Sequence, residues 1–349
     1  MGLIENLCLE MPGTKQTYPK ISIVTPSYNQ GKYIEQTITS VLNQNYPNLE
    51  YIIIDGGSTD DTVEIIKKYE HQLAYWVSEQ DKGQTDAINK GFEKCTGVIF
   101  NWINSDDYYE PGTFEKLVKL FTDFPHVNVI CGKEWSFNDE TPEKKTPNAG
   151  SIIKENVYET IRVGIIDQPC TFFRKEAIDA FFPLNSSLKY VMDKQLWWKY
   201  LLKYGQNNIL QISKEFTNFR LHNQSKTVSD ADLFDLEFDR LRRSLFLQLK
   251  APDILNKQLH QNLIPLNSTW QINIKYPDFI LAEFAAYFAE RNYVLKNLKD
   301  ASELLKFVKS VKNNGLSKKE RKLWFLLEVI PRGLLIFLKN IKSRITISS

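Results

Sequence analysis

The stretch ISIVTPSYNQGKYIEQTITSVLNQNYPNLEYIIIDGGSTDDT, residues 21–62, contains a complete strand–helix–strand unit. Residues 21–25 are rich in β-branched side chains and predict a strand that Pro26 ends. Apolar residues then recur at helical spacing in YIEQTITSVLNQNY, and residues 51–54 form a second, wholly apolar strand. A helix between two such strands is typical of a parallel crossover unit.

The same alternation continues after residue 62. LAYWVSEQ predicts a third strand, QTDAINKGFEKC a third helix and VIFNWIN a fourth strand. Beyond residue 111, VNVICGKEWSF predicts a strand, NDETPEKKTPNAGS an exposed loop, DQPCTFFRKEAI a strand leading into a helix, and DKQLWWKYLLKYG an amphipathic helix. We therefore expect an extension (1–19), an α/β domain (20–228) with a mostly parallel sheet flanked by helices, and a helical C-terminal region (229–349).

Composition excludes several classes of protein. The net charge of +2 over 349 residues gives no general case for nucleic-acid binding. The four cysteines lack C-x-x-C spacing, which argues against zinc and disulfides and fits a reducing compartment. MGLIENLCLEMPGTKQ does not have the pattern of a signal peptide, and no long uncharged apolar run occurs. These features predict a cytoplasmic protein.

Polar clusters follow three of the predicted strands. Asp55 follows the second strand, residues 79–83 the third, and residues 104–107 the fourth. In open parallel sheets, ligands bind outside the carboxyl ends of the strands. The clusters should therefore meet at one edge of the sheet and form a binding site.

Each cluster has a functional and a structural explanation. Adjacent Asp106 and Asp107 suit Mg²⁺ or Mn²⁺, or they are solvated acids in a loop. In DGGSTD, Asp55 could accept hydrogen bonds from a base or ribose, or the segment is a tight turn before a capped helix. In EQDKGQTDAINKG, Lys82 beside a helix N-terminus suits phosphate, or the segment is a solvated helix start.

Taken together, these motifs resemble the inverting nucleotide-sugar glycosyltransferases of family 2, which have the GT-A (Rossmann-like) fold. The resemblance rests on residues 21–62, EQDKGQTDAINKGF and GVIFNWINSDDYYEPGTF in that order, and extends more weakly to about residue 227. Within the family, the sequence most resembles the enzymes that build bacterial surface polysaccharides. Residues 20–110 would then be the nucleotide-sugar half of the domain, and residues 111–228 the acceptor half.

The resemblance assigns roles on the donor side. It implies a nucleotide-sugar pocket formed by Pro26, Ser27, Tyr28, Asp55, Asp81, Gly83, Asn104 and Ser105. Asp106 would be the main ligand of Mn²⁺ or Mg²⁺, with Asp107 in the same shell and His222 at the metal or diphosphate, or in a structural role. The sequence departs from the family pattern at two positions. Asn104 replaces the first acid of Asp-x-Asp, and Gly56 replaces the second acid of Asp-Asp-Gly-Ser.

On the acceptor side the resemblance places the general base at Asp193. Single-step inversion needs a base for the acceptor hydroxyl; the structural alternative is a helix N-cap. Gln168 would shape the acceptor side, and Trp197 or Trp198 could face a sugar ring. Cys170 is expected to pack, since no base is adjacent.

The expected partners are a nucleotide-diphosphate sugar, with a UDP-sugar favoured, and a glycan or lipid-linked acceptor. The transferred group would be a hexosyl or N-acetylhexosaminyl unit. The basic, apolar segment KKERKLWFLLEVIPRGLLIFLKNIKSR suits either the inner surface of the cytoplasmic membrane or docking onto the α/β domain. Two rival functions are a sugar nucleotidyltransferase and a non-catalytic nucleotide- or glycan-binding protein. A nucleotidyltransferase should have a Gly-rich, basic loop after the first strand, and TPSYNQGKY contains only one glycine and one lysine.

Overall fold

The computed structural model describes residues 18–329, apart from residues 224, 262, 265, 267–269, 271 and 314. Almost all of the predicted extension 1–19, and the basic segment beyond residue 329, therefore lie outside the described residues.

The described residues form one curled sheet of nine strands, in the order β3-β2-β1-β4-β8-β6-β9-β5 with β7 paired to β6. The strands are β1 (Ile21–Ser27), β2 (Leu49–Asp55), β3 (Tyr75–Ser78), β4 (Ile99–Trp102), β5 (Tyr108–Tyr109), β6 (Val129–Asn138), β7 (Thr141–Pro147), β8 (Thr171–Arg174) and β9 (Ile209–Leu221). The four N-terminal strands are all parallel. The predicted fold class is confirmed.

Helices cover the sheet and build the C-terminal region. They are α1 (Ile34–Leu42), α2 (Thr62–Lys68), α3 (Gln84–Lys94), α4 (Thr113–Asp123), α5 (Val157–Val163), α6 (Met192–Tyr204), α7 (Lys226–Ser229), α8 (Ala231–Gln248), α9 (Asp253–Asn256), α10 (Pro277–Val294), α11 (Leu298–Lys312) and α12 (Lys318–Trp324). A π-helical turn (Phe325–Val329) follows α12.

Two local predictions are wrong. The predicted exposed loop NDETPEKKTPNAGS contains β7, which pairs with β6 in an antiparallel hairpin. Its prolines are tolerated because β7 is an edge strand. After β8 the chain forms two 3₁₀ turns, Lys175–Ala177 and Asp179–Phe181, where we expected a helix.

The helical region shares its core with the α/β domain. Trp198 on α6 lies 5.5 Å from the ring of Phe238 on α8 and 5.8 Å from that of Phe284 on α10. Leu323 of α12 is also buried in this cluster. The described part of the basic segment therefore docks onto the protein, and the boundary at residue 228 stays a prediction.

Strand register aligns the ends of the parallel strands. Ser27 pairs with Asp55, and Asp55 with Ser78. Helix α3 lies close against β1, because a Cβ added at Gly91 would stand 2.5 Å from Val24 Cγ1. This close approach fixes the start of α3 relative to the strand ends.

We expect the Gly91→Ala variant to lose about 1–3 kcal/mol of unfolding free energy through overpacking, although alanine favours helices. Chemical denaturation measures the loss. Adding Val24→Ala should recover part of it by making room for the methyl group. A Gly91→Ala variant as stable as the original protein would contradict this packing.

Candidate functional site

A cleft of about 1000 Å³ opens at the carboxyl edge of the parallel strands. One side is formed by strand ends and by the loop before α3, and the other by β6, β9, α6 and α7. Of the residues proposed from the sequence, the lining includes Pro26, Ser27, Tyr28, Asp81, Gly83, Asn104, Ser105, Asp106, Gln168 and Asp193. The cleft thus brings together side chains from both halves of the domain.

Asp55 is fully buried and holds the turn that follows β2. Its Oδ2 accepts hydrogen bonds from the backbone N–H groups of Gly57 (3.1 Å) and Ser58 (2.9 Å), and from Ser78 Oγ (2.6 Å). The carboxylate is thus occupied by the protein, and Gly56 and Gly57 border the cleft in its place.

The departure at Gly56 has a steric and electrostatic reason. A Cβ added there would lie 3.0 Å from Asp81 Oδ2. An aspartate at position 56 would therefore bring two carboxylates together, and like charges at this distance repel. Asp81 is the acid that borders the cleft beside this turn.

Asp107 anchors the acidic loop. Its side chain is buried, and its Oδ1 accepts a 3.0 Å hydrogen bond from the backbone N–H of Arg220 on β9. Burial raises its pKa, and Asp106 raises it further. The expectation that Asp107 shares a metal shell with Asp106 is corrected here, because its carboxylate is directed to β9 and does not line the cleft.

Asp106 meets His222 at the edge of the cleft. Asp106 Oδ2 lies 3.0 Å from His222 Nε2. Adjacent ligands of an octahedral ion with bonds of about 2.1 Å are also about 3 Å apart. A carboxylate and an imidazole are suitable ligands for Mn²⁺, so this pair fits the expected cation.

Asn104 links the acidic loop to a lysine that the sequence analysis missed. Its Oδ1 accepts a 2.6 Å hydrogen bond from Gln84 Nε2. Gln84 Oε1 in turn accepts a 2.9 Å bond from Lys226 Nζ. Lys226 lies in the weaker, last part of the resemblance, where no role was assigned to it, and its hydrogen bond to Gln84 joins α7 to α3 at the cleft.

Asp193 lies in the first turn of α6 and lines the cleft. Burial raises its pKa, while neighbouring Lys194 lowers it. Its Oδ1 is buried without a hydrogen-bond partner among the described residues. The alternative role of N-cap is wrong, because Val191 occupies the cap position and no side chain caps the helix.

Trp197 and Trp198 are completely buried, so neither ring can stack on a sugar in this structure. This corrects the expectation that one of them faces the acceptor. Gln168 does reach the cleft, and its Nε2 donates 2.7 Å hydrogen bonds to Asn101 Oδ1 and the Trp102 carbonyl.

Two further acids in the cleft, Glu134 and Asp167, were not foreseen. Glu134 is 1% exposed, and burial raises the pKa of both carboxyl groups. Their oxygens and the Cys170 sulfur all lie within 4.8 Å of one another. Burial also raises the pKa of Cys170. Burial therefore favours a protonated Glu134 while no ion is bound, and the three groups are close enough together to hold a metal ion.

Comparison with known proteins relates part of the chain to a known family. Residues 22–182 match the family model "Glycosyl transferase family 2". The matched residues are a little under half of the chain. The chain is 38% identical over 228 residues to the chondroitin synthase of Escherichia coli, which covers 63% of this chain and 32% of that protein. It spans 54–60% of the length of three uncharacterized glycosyltransferases from two Rickettsia species and a Nostoc species.

Solved structures of glycosyltransferases share the fold. Staphylococcus aureus TarS (residues 1–349) in complex with UDP aligns with a TM-score of 0.56 and 20% identity, covering 88% of this chain and 90% of that one. The mannosyltransferase PcManGT from Pyrobaculum calidifontis, in complex with GDP-Man and Mn²⁺, aligns with a TM-score of 0.50 and 16% identity, covering 93% and 88%. In the described part of this chain, no helix is long and apolar enough to cross a membrane.

The acid pair generates a prediction about stability. Because the folded state raises the pKa of Glu134, it keeps a proton that the unfolded chain releases as pH rises above about 4.5, so the pair costs stability at higher pH. Glu134→Gln should therefore raise the Tm by about 2 °C or more at pH 8 and by less at pH 5.

Thermal unfolding at the two pH values measures this difference, with the exposed Glu140→Gln as the control. An equal effect of Glu134→Gln at both pH values would show that Glu134 is ionised in the folded protein.

Proposed function

We propose that this protein is an inverting glycosyltransferase of cell-surface polysaccharide synthesis. It transfers a hexosyl or N-acetylhexosaminyl unit from a nucleotide-diphosphate sugar to a glycan or lipid-linked acceptor. One observation carries the proposal. A single cleft joins the donor-side loops and Asp106 to Asp193, whose Oδ1 is buried without a hydrogen-bond partner among the described residues.

The donor side supports a nucleotide. The segment Pro26–Tyr28, the backbone of Gly56 and Gly57, and Asp81 line one end of the cleft. Tyr28 is 60% exposed and could stack on a base. TarS, which shares the fold, was solved with UDP, so a UDP-sugar is the first donor to test.

Asp106 and His222 would hold a divalent cation, Mn²⁺ or Mg²⁺. Such an ion, when bound, offsets the negative charge that develops on a leaving diphosphate. The Mn²⁺ complex of PcManGT supports Mn²⁺ as the first choice. The protein's own contribution is to aim the Asp106 carboxylate, whose loop is fixed by Asp107 and Arg220.

Asp193 would act as the general base. As the acceptor oxygen bonds to the anomeric carbon, its proton moves to the Asp193 carboxylate and the nucleoside diphosphate leaves with the electrons of the broken bond. The raised pKa of Asp193 makes it a stronger base than an exposed aspartate. Glu134 and Asp167, on the same side of the cleft, could accept hydrogen bonds from acceptor hydroxyl groups.

The structure gives little support to a nucleotidyltransferase. The loop after β1 contains one lysine, Lys32, and its ammonium lies 2.5 Å from Asp139 Oδ2. A cation neutralised in this way is poorly placed to activate a triphosphate. A peripheral position on the inner face of the membrane stays part of the proposal, since the end of the basic segment lies outside the described residues.

Donor hydrolysis tests the proposed function. Purified protein is incubated with UDP-, GDP- and dTDP-sugars in Mn²⁺, Mg²⁺ or chelator, beside Asp106→Ala, Asp193→Asn and the surface control Asp123→Asn. We expect one donor to be hydrolysed, with at least tenfold loss in chelator and in Asp106→Ala. Donor binding without any transfer to added glycans would favour the non-catalytic rival, and no binding would refute the proposal.

The pH dependence of transfer tests Asp193 separately. Because burial raises its pKa, kcat at saturating donor and metal should begin to fall, as the pH is lowered, at a higher pH than an ordinary aspartate would give. Asp193→Asn should lower kcat by about 10²-fold or more while leaving donor affinity nearly unchanged. A kcat unaffected by this substitution would exclude Asp193 as the base.

A further inference from the structure

Lys226 is a cation in the cleft that is not neutralised by its hydrogen-bond partners. It begins the short helix α7, just after β9. Its Nζ donates to Gln84 Oε1 at 2.9 Å and to the Lys189 carbonyl at 3.3 Å. Both acceptors are uncharged. These are its hydrogen bonds among the described residues, and since an ammonium group has three N–H donors, a third can bind a ligand.

Other cations near the acidic loop are held by carboxylates. Arg220 Nη1 lies 2.8 Å from Asp139 Oδ1, and Lys32 Nζ lies 2.5 Å from Asp139 Oδ2. The Arg220 Nε–H also donates a hydrogen bond to the Asp106 carbonyl. The carboxylates of Glu237, Asp230 and Asp106 act on Lys226 as well, but among the described residues none of them forms an ion pair with it, so its ammonium can still bind an anion in the cleft.

Lys226 is connected to Asn104, the residue at which the acidic loop departs from the family pattern. Two hydrogen bonds, through Gln84, connect its ammonium to the Asn104 amide. An acid at position 104 would add a negative charge at this end of the cleft. With Asn104 and Lys226 the same end is less negative, which favours a diphosphate even with few metal ligands.

We propose that Lys226 binds the diphosphate of the donor nucleotide, held in position by the Asn104–Gln84 hydrogen bond. This inference rests on the proposed function, because it concerns the same donor. A role of Lys226 at the diphosphate also has a consequence for binding without a metal ion. Part of the affinity for the diphosphate should survive removal of divalent cations, since a residue of the chain supplies some of the positive charge.

Calorimetry of nucleotide binding tests this role without relying on activity. UDP and uridine are titrated in chelator and in Mn²⁺ against the original protein, Lys226→Met and Lys226→Arg, with GDP and guanosine as a second pair. Lys203→Met is the matched control, because this lysine lies over the rings of Phe181 and Tyr204, away from the cleft lining.

We expect Lys226→Met to weaken UDP binding about tenfold or more, most clearly in chelator, and to leave uridine binding unchanged. Lys226→Arg should restore most of the affinity, and Gln84→Leu should weaken UDP binding by a smaller factor. Lys203→Met should change nothing.

Two results would overturn the inference. If the original protein binds UDP and Lys226→Met binds it within twofold, Lys226 does not contact the diphosphate, and the proposed function stands. If the original protein binds neither nucleoside diphosphate in Mn²⁺, the proposed function fails and this inference fails with it.

Discussion

The site depends on the contacts of one residue, Arg220 on β9. Its backbone N–H binds Asp107 Oδ1, its Nε binds the Asp106 carbonyl, and its guanidinium pairs with Asp139 and contacts Gln36. These contacts join the loop after β4 to β9, to the β6–β7 hairpin and to α1. Arg220 is only 7% exposed, and a charged group buried to this extent must be paired to be stable. The position of Arg220 and the conformation of the acidic loop therefore depend on each other.

The ionisable groups that line the cleft are divided between its two ends. Asp106, His222 and Lys226 lie at the end formed by the acidic loop, where they suit a cation and a diphosphate. Glu134 and Asp167 lie on the side formed by the second half of the domain, where burial favours their protonated forms. One end is therefore suited to a leaving anion, and the other to hydroxyl groups. Glycosyl transfer needs both in one cavity.

The sequence predicted the parallel sheet because apolar strands and amphipathic helices alternate regularly in residues 21–104, and the ends of these strands then predict the edge at which the cleft opens. It could not predict side-chain direction. Asp107 and Asp106 are neighbours, yet one is buried under β9 and the other faces the cleft. Lys226 and Glu134 enter the site through contacts between distant segments, and β7 was missed because an edge strand can be polar.

The most direct test is a crystal structure of the protein with UDP and Mn²⁺, with the metal located by anomalous scattering. The expected result is one Mn²⁺ bound by Asp106 and His222, with the diphosphate between the ion and Lys226 and with Asp107 still bound to Arg220. A metal held by Glu134, Asp167 and Cys170, or UDP bound outside this cleft, would contradict it.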